Sequence, residues 1–228
     1  MKTAIITGAA GNLGSAVVDE FVKEGYKVLA TVSPGKEDQI DQKGAVVFPV
    51  DLTDEKEVEA SFSKIIEKHS PINAALFLAG GYQYGNIDVA DGAILQKMIN
   101  INFMTAFFLS RKVFQHMKEN GKGGRLVFVG ARPSLDPKAG KDSFAYALSK
   151  SLIFELSELL NAEGSTHGIT STVVVPSIID TPPNRKAMAD ADFKKWVKPE
   201  EIARVMAFVC SEAASSVREA VIKVYGKS

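Results

Sequence analysis

Short apolar runs alternate along the chain with longer stretches whose apolar residues recur every three or four positions. The runs Thr3–Thr7, Lys27–Val32, Val46–Val50, Ala74–Ala79, Arg125–Gly130, Thr170–Val175 and Ala220–Tyr225 are nearly continuous in apolar character, which predicts strands covered on both faces. Between them, Val58, Phe62 and Ile65 fall on one helical stripe, and Leu148, Leu152, Leu156 and Leu159 on another. Each stripe is predicted to bury against the sheet. Asp54 with Glu57 marks a helix start, and Pro199-Glu200-Glu201 a proline-led start for the last helix. Strand and helix in alternation predict an α/β fold, a doubly wound sheet of about seven mainly parallel strands with helices on both faces. With no internal repeat, low-complexity tract or linker, residues 1–228 read as a single domain.

In an open parallel sheet, ligands bind beyond the carboxyl ends of the strands. The irregular stretches Ala131–Asp142 and Pro176–Lys198 both follow strands, so they are the expected walls of a site, with residues 176–198 as the substrate loop. The first strand runs into Thr7-Gly8-Ala9-Ala10-Gly11-Asn12-Leu13-Gly14 and then a helix from about Leu13 to Lys23. Glycines there let backbone N–H groups approach an anion at the helix N-terminus, and a dinucleotide pyrophosphate is the expected occupant. The second strand ends in Thr31-Val32-Ser33-Pro34-Gly35-Lys36, with no carboxylate to bind a ribose diol. That favours NADP over NAD, with Lys36 either near the 2′-phosphate or simply solvated.

Tyr146-Ala147-Leu148-Ser149-Lys150 places a phenol and an ammonium on one helix face, together with Ser143 and opposite the leucine stripe. Carbonyl reduction requires a proton on oxygen as hydride reaches carbon, and a tyrosine near its usual pKa of about 10 is a poor participant at neutral pH. A neighbouring lysine cation is expected to lower that pKa by stabilising the phenolate. Tyr146 is accordingly the expected proton carrier and Lys150 its electrostatic tuner.

These motifs together resemble the short-chain dehydrogenase/reductase family over nearly the whole chain. Thr7, Gly8 and Gly14 match its Thr-Gly-x-x-x-Gly-x-Gly opening; Asn12 stands at the middle glycine with Gly11 beside it, and is predicted to take a left-handed or glycine-like conformation. The resemblance implies a Rossmann-type fold and a cofactor site comprising Gly8, Gly11, Asn12, Leu13, Gly14 and Ser33. It adds Asp51-Leu52 as the adenine-contacting step, with helix capping as the plainer role for Asp51. Leu78-Ala79-Gly80-Gly81 is similar to the family's Asn-Ala-Gly, and Pro176-Ser177-Ile178-Ile179-Asp180-Thr181 to its Pro-Gly-x-x-x-Thr, which makes Pro176 and Thr181 nicotinamide contacts. Asn102 matches an asparagine that anchors a water in the proton relay, or is a satisfied packing amide. Lys150 doubles as a ribose ligand.

The serine that normally follows the fifth strand is missing: the chain reads Val129-Gly130-Ala131-Arg132-Pro133-Ser134. Either Ser134 or Ser143 substitutes, or the reaction proceeds without it. Residues 130–136, 79–81 and 180–196 look like the dihydropteridine reductase branch, which keeps the tyrosine and lysine but lacks the serine. A small carbonyl or quinonoid substrate, such as a pterin, is thereby implied. Phe193 and Trp196 either cover such a substrate or anchor their loop. A homodimer or homotetramer is implied as well, through helices near Asn100–Lys118 and Ser143–Ala162. The Ala131 gap keeps open a second reading, a catalytically silent dinucleotide sensor or scaffold.

Composition narrows the classes further. Twenty-seven basic and 27 acidic residues balance, leaving no electrostatic footprint for nucleic acid or an anionic membrane. Cys210 is the only cysteine and lies in an apolar stretch, so no disulfide is expected and a buried hydrophobe is its expected role. Three scattered histidines, His69, His116 and His167, predict no metal site. The opening apolar run is too short for a signal peptide and no stretch reaches spanning length, so the cytoplasm is the expected compartment.

Overall fold

A computed structural model describes residues 1–40, 44–217 and 220–227. The seven strands are β1 (Thr3–Ile6), β2 (Lys27–Val32), β3 (Ala45–Pro49), β4 (Ala74–Phe77), β5 (Gly124–Val129), β6 (Ile169–Pro176) and β7 (Val221–Val224). They form one sheet in the order β3-β2-β1-β4-β5-β6-β7, and every adjacent pair is parallel. All seven predicted strands are present, each displaced by at most a few residues at its ends.

Burial on both sides explains why these strands lack an apolar–polar alternation. Ile5, Leu29, Phe77, Phe128 and Val173 face one helical layer, while their neighbours Ala4, Ile6, Val28, Leu76, Val127 and Val174 face the other. The first layer holds α2 (Glu55–His69), α4 (Thr105–Asn120) and α6 (Phe144–Gly164); the second holds α1 (Asn12–Lys23) and α8 (Pro199–Cys210). Three shorter helices, α3 (Gly92–Ile99), α5 (Pro137–Gly140) and α7 (Pro182–Ala187), lie in the connections. Asp54 caps α2 by accepting from the backbone N–H groups of Lys56 and Glu57, and Pro199 opens α8. Both helix starts read from the sequence are therefore in place.

The leucine stripe of α6 departs from its expected role. Leu148, Leu152 and Leu159 are 44, 38 and 60% exposed, and only Leu156 is buried. The face that meets the protein carries Ala145, Ser149, Lys150, Ile153, Ser157 and Leu160. Polar residues occupy that inward face because they have partners there: Ser157 and Ser171 share a hydrogen bond of 2.7 Å, and Asn161 exchanges two with the Ser171 backbone. The long apolar row thus faces out of this chain.

Strand order reverses between β1 and β4, where chain connections leave the sheet in opposite directions. A crevice at that switch point is where a ligand fits an open α/β sheet. Among the described residues, no helix is long and apolar enough to cross a membrane, and no cluster of metal-ligating side chains occurs.

Candidate active site

The site is assembled from the carboxyl ends of β1, β4, β5 and β6. At β1, Gly8 takes φ +62°, and a side chain there would press on the Ala79 backbone. A Cβ on Gly14 would overlap the Gly8 carbonyl oxygen, so this glycine lets α1 pack directly on the turn it follows. Gly11 is the N-cap, with φ −79° and ψ 163°, and its N–H donates to the Gly8 carbonyl at 2.9 Å. Asn12 is already the first residue of α1, and no non-glycine residue among those described has positive φ. The expected left-handed Asn12 is therefore incorrect: the left-handed position falls on Gly8, and an ordinary helical residue suffices at 12.

Asn12, Leu13 and Gly14 supply the first N–H groups of α1, which a helix start leaves without intrahelical acceptors. No acidic residue occupies that first turn, so the positive end of the helix is unopposed. Beside it lies a cavity of about 580 Å³ whose lining includes Asn12, Thr181, the cations Arg185 and Lys198 and the acids Asp180 and Glu200. A glycine cradle, free N–H groups and an adjoining cavity fit an elongated anionic dinucleotide. Thr7, at the head of the glycine turn, has a buried hydroxyl that accepts from Leu78 N and Ala79 N at 2.9 and 3.1 Å. It fastens the glycine turn to the end of β4.

Ser33 is exposed just beyond the end of β2. Thr31, two residues earlier, has a buried hydroxyl with no hydrogen-bond partner among the described residues. Asp51 accepts from the backbone and hydroxyl of Thr53 at 2.9 and 2.7 Å, which holds its carboxyl below the usual range. It does not cap α2, which Asp54 does; the capping role considered for Asp51 is corrected accordingly. Leu52 is buried beneath it.

Gly80 and Gly81 pass against the inner end of a π-helical turn, Asn100–Met104, that joins α3 to α4. A Cβ on Gly80 would lie 2.6 Å from Asn102 Oδ1 and 3.4 Å from Lys150 Nζ. Asn102 Oδ1 accepts from Gly81 N at 2.9 Å; its Nδ2 donates to Gly81 O at 3.0 Å and to Ser149 Oγ at 3.1 Å. Ser149 in turn donates to the Tyr146 carbonyl at 2.8 Å. The buried amide thus ties the β4 loop to α6, and the widened π turn aims it there. This geometry matches the packing-amide alternative, with both ends of the amide engaged.

Tyr146 and Lys150 lie one turn apart on α6, as the spacing predicts. Lys150 is 6% exposed and donates to the Val129 carbonyl at 2.9 Å. Burial lowers its ammonium to about 8. Tyr146 is largely buried, and burial together with the neighbouring Tyr82 phenol pushes its pKa above the usual 10. The expected lowering by Lys150 is not seen, because the ammonium is turned to the β5 carbonyl and desolvation dominates the phenol. Tyr146 is consequently held as the neutral acid at physiological pH.

Ala131, two residues beyond the end of β5, has a buried methyl group. Ser134 donates its hydroxyl to the Ala147 carbonyl at 2.9 Å, an engagement that makes it a support for α6. Ser143 is the N-cap residue of α6 and is buried next to Tyr82. The loop between β4 and α3, which carries Tyr82, was missed as a wall of the site. Its signal was present in Gly81-Tyr82-Gln83-Tyr84-Gly85, two tyrosines bracketed by glycines directly after a strand.

Pro176 closes β6, and Thr181 caps α7, accepting from Asn184 N at 3.4 Å. Asp180 and Arg185 form a two-pronged ion pair, with Nη2 to Oδ2 at 2.7 Å, and the guanidinium also lies 5.0 Å from the Phe193 ring centre. Trp196 is 7% exposed and packs on Phe193 with ring centres 4.7 Å apart. Of the two roles weighed for Trp196, its burial matches the loop anchor.

Comparison with known proteins decides what this arrangement is. The model of the short chain dehydrogenase family matches residues 2–192. The chain belongs to that family. It is an oxidoreductase of the short-chain dehydrogenase type, a class that uses nicotinamide dinucleotides. It is 28% identical to the 3-oxoacyl-[acyl-carrier-protein] reductase MabA of Mycobacterium tuberculosis, covering 99% of this chain and 92% of that one. It is 31% identical to the uncharacterized oxidoreductase YuxG of Bacillus subtilis over 78% of its length, but spans only 27% of that protein. The aldohexose dehydrogenase of Thermoplasma acidophilum shares the fold with a TM-score of 0.86 at 23% identity, over 99% of this chain and 93% of the other.

Proposed function

We propose that this short-chain dehydrogenase reduces a small carbonyl or quinonoid compound with NADPH in preference to NADH, with Tyr146 as the proton donor. The observation that carries this reading is Tyr146 set one helical turn from the buried Lys150 and tied through Ser149 and Asn102 to the glycine-lined β4 loop. When bound, the dinucleotide supplies the hydride. Gly8, Gly11, Asn12, Leu13 and Gly14 hold its phosphates on the α1 N-terminus; Ala79, Gly80 and Gly81 give its ribose a flat wall; Pro176 and Thr181 meet the nicotinamide. Tyr146 gives its proton to the substrate oxygen as hydride reaches carbon. Lys150, held at the end of β5 by the Val129 carbonyl, would bind ribose hydroxyls. Asn102 is a positioning residue for both.

The preference for NADPH rests on the exposed Ser33 and on the lack of an acid before Glu37 at the end of β2. Relatives named for both kinds of chemistry match at similar levels: an acetoacetyl-CoA reductase of Acinetobacter and an NAD-dependent glycerol dehydrogenase of Listeria innocua are each 26% identical. Steady-state oxidation of NADPH and NADH against quinonoid dihydropterin, β-ketoacyl thioesters and simple ketones tests the reading. Turnover with at least one acceptor, faster with NADPH, is expected. A dinucleotide sensor, the reading that the buried Ala131 methyl supports, binds the reduced cofactor without oxidising it.

The protein is further proposed to act as a homodimer or homotetramer in the cytoplasm. Leu148, Leu152 and Leu159 form an exposed apolar row along α6, the kind of surface that a second copy covers. Sedimentation is expected to give at least twice the 24.5 kDa mass of one chain; a monomer at micromolar concentration contradicts it.

A further inference from the structure

The substrate oxygen needs a second hydrogen-bond donor besides Tyr146, and none of the positions considered from the sequence supplies it freely. Ala131 has only a methyl group, and the Ser134 hydroxyl is directed to the Ala147 carbonyl at 2.9 Å. Ser143 is 3% exposed. Tyr82 is different. Its ring meets that of Tyr146 edge to face, with centres 5.0 Å apart and planes at 74°, and the residue is 63% exposed.

The segment that carries Tyr82 is fastened at both ends. On one side Asn102 grips both backbone groups of Gly81. On the other, Gly85 N donates to Asp142 O at 2.9 Å and Phe144 N donates to Gly85 O at 2.8 Å, so the loop is stitched to the residues flanking Ser143. Ser143 lies buried beside Tyr82 and opposes the rise in the Tyr82 pKa that burial causes. An exposed tyrosine is thereby held with its ring against that of the proton donor.

We propose that Tyr82 performs the task of the missing serine: its hydroxyl donates a hydrogen bond to the substrate oxygen while Ser143 orients it. This rests on the reductase reading above. In the step, the carbonyl carbon gains the hydride and the C=O π pair moves onto oxygen. Oxygen takes the Tyr146 proton, and the resulting phenolate is reprotonated from water. Tyr82 keeps its own proton and stabilises the charge developing on oxygen before that transfer.

The test compares variants on the panel acceptor that the unmodified protein reduces fastest, with NADPH. Tyr82→Phe preserves the ring contact, so the fold is kept; it is expected to lower kcat by about 100-fold, the usual effect of losing one such donor, with KM and NADPH affinity by nicotinamide fluorescence little changed. Adding Ala131→Ser to Tyr82→Phe is expected to recover at least about tenfold of the loss, which a purely structural role for Tyr82 does not allow. Ser143→Ala is expected to lower kcat by about tenfold and Ser143→Thr to restore it. Tyr82→Phe with unaltered kcat, while Tyr146→Phe is inactive, overturns this proposal alone; so does failure of the serine to rescue. Lack of turnover in the unmodified protein overturns both this proposal and the reductase reading.

Discussion

Replacing Tyr146 with phenylalanine is expected to lower kcat by about 1,000-fold while leaving NADPH affinity, read by nicotinamide fluorescence, within about twofold of the unmodified protein. The magnitude follows from what is removed. Tyr146 is the one phenol that α6 presents one turn from Lys150, and burial keeps it protonated, so its loss deletes the acid without creating a charge. Its ring persists in phenylalanine, so the edge-to-face contact with Tyr82 at 5.0 Å is kept. The backbone carbonyl at 146, which accepts from Ser149, is also unchanged. A fully active Tyr146→Phe protein contradicts the assignment.

Lys150→Met is expected to have two opposite effects: turnover falls by at least about 100-fold, and the ligand-free fold becomes more stable at pH 7. In the folded protein the ammonium titrates at about 8 instead of 10.5. At about 1.4 kcal/mol per tenfold, carrying that buried charge at neutral pH costs on the order of 3 kcal/mol. Losing the hydrogen bond to Val129 O gives back roughly 1 kcal/mol of the gain, leaving a net of about 2. Calorimetry of the ligand-free protein is expected to show a midpoint about 4–8 °C higher for the variant.

The pH dependence of that difference has a definite sign. Between pH 8 and 10.5 the folded lysine has lost its proton while the unfolded one keeps it, so the unfolded state binds more protons. The unmodified protein therefore gains stability as pH rises through this window, and the advantage of Lys150→Met shrinks. An advantage that grows with pH, or a variant less stable at pH 7, contradicts the account.

How far the sequence reached depended on whether a feature was local. All seven strands were legible because burial on both faces leaves continuous apolar runs, and the Tyr146/Lys150 pair because helical spacing alone sets it. The leucine row of α6 was misassigned because a stripe says that a helix has an apolar side, not whether that side meets its own sheet or a separate surface. Asn12 was misread because the left-handed residue of the turn is set by how α1 meets Gly8, a contact that a list of glycines does not show. Lys150 was expected to lower the Tyr146 pKa, but its reach to Val129 O is a tertiary fact invisible in the spacing. The Tyr82 loop was overlooked because its closeness to Tyr146 arises from pairing between Gly85 and Ser143, far apart in the chain.

The central claim is hydride transfer from a nicotinamide dinucleotide to a small acceptor, and its most direct test is the loss of 340 nm absorbance from NADPH and NADH, in turn, over a panel of quinonoid dihydropterin, β-ketoacyl thioesters and ketones. Enzyme-dependent oxidation with at least one acceptor, faster with NADPH and lost in Tyr146→Phe, is the expected result. Tight binding of both cofactors with no oxidation against any acceptor contradicts it and makes the chain a dinucleotide-binding protein without turnover.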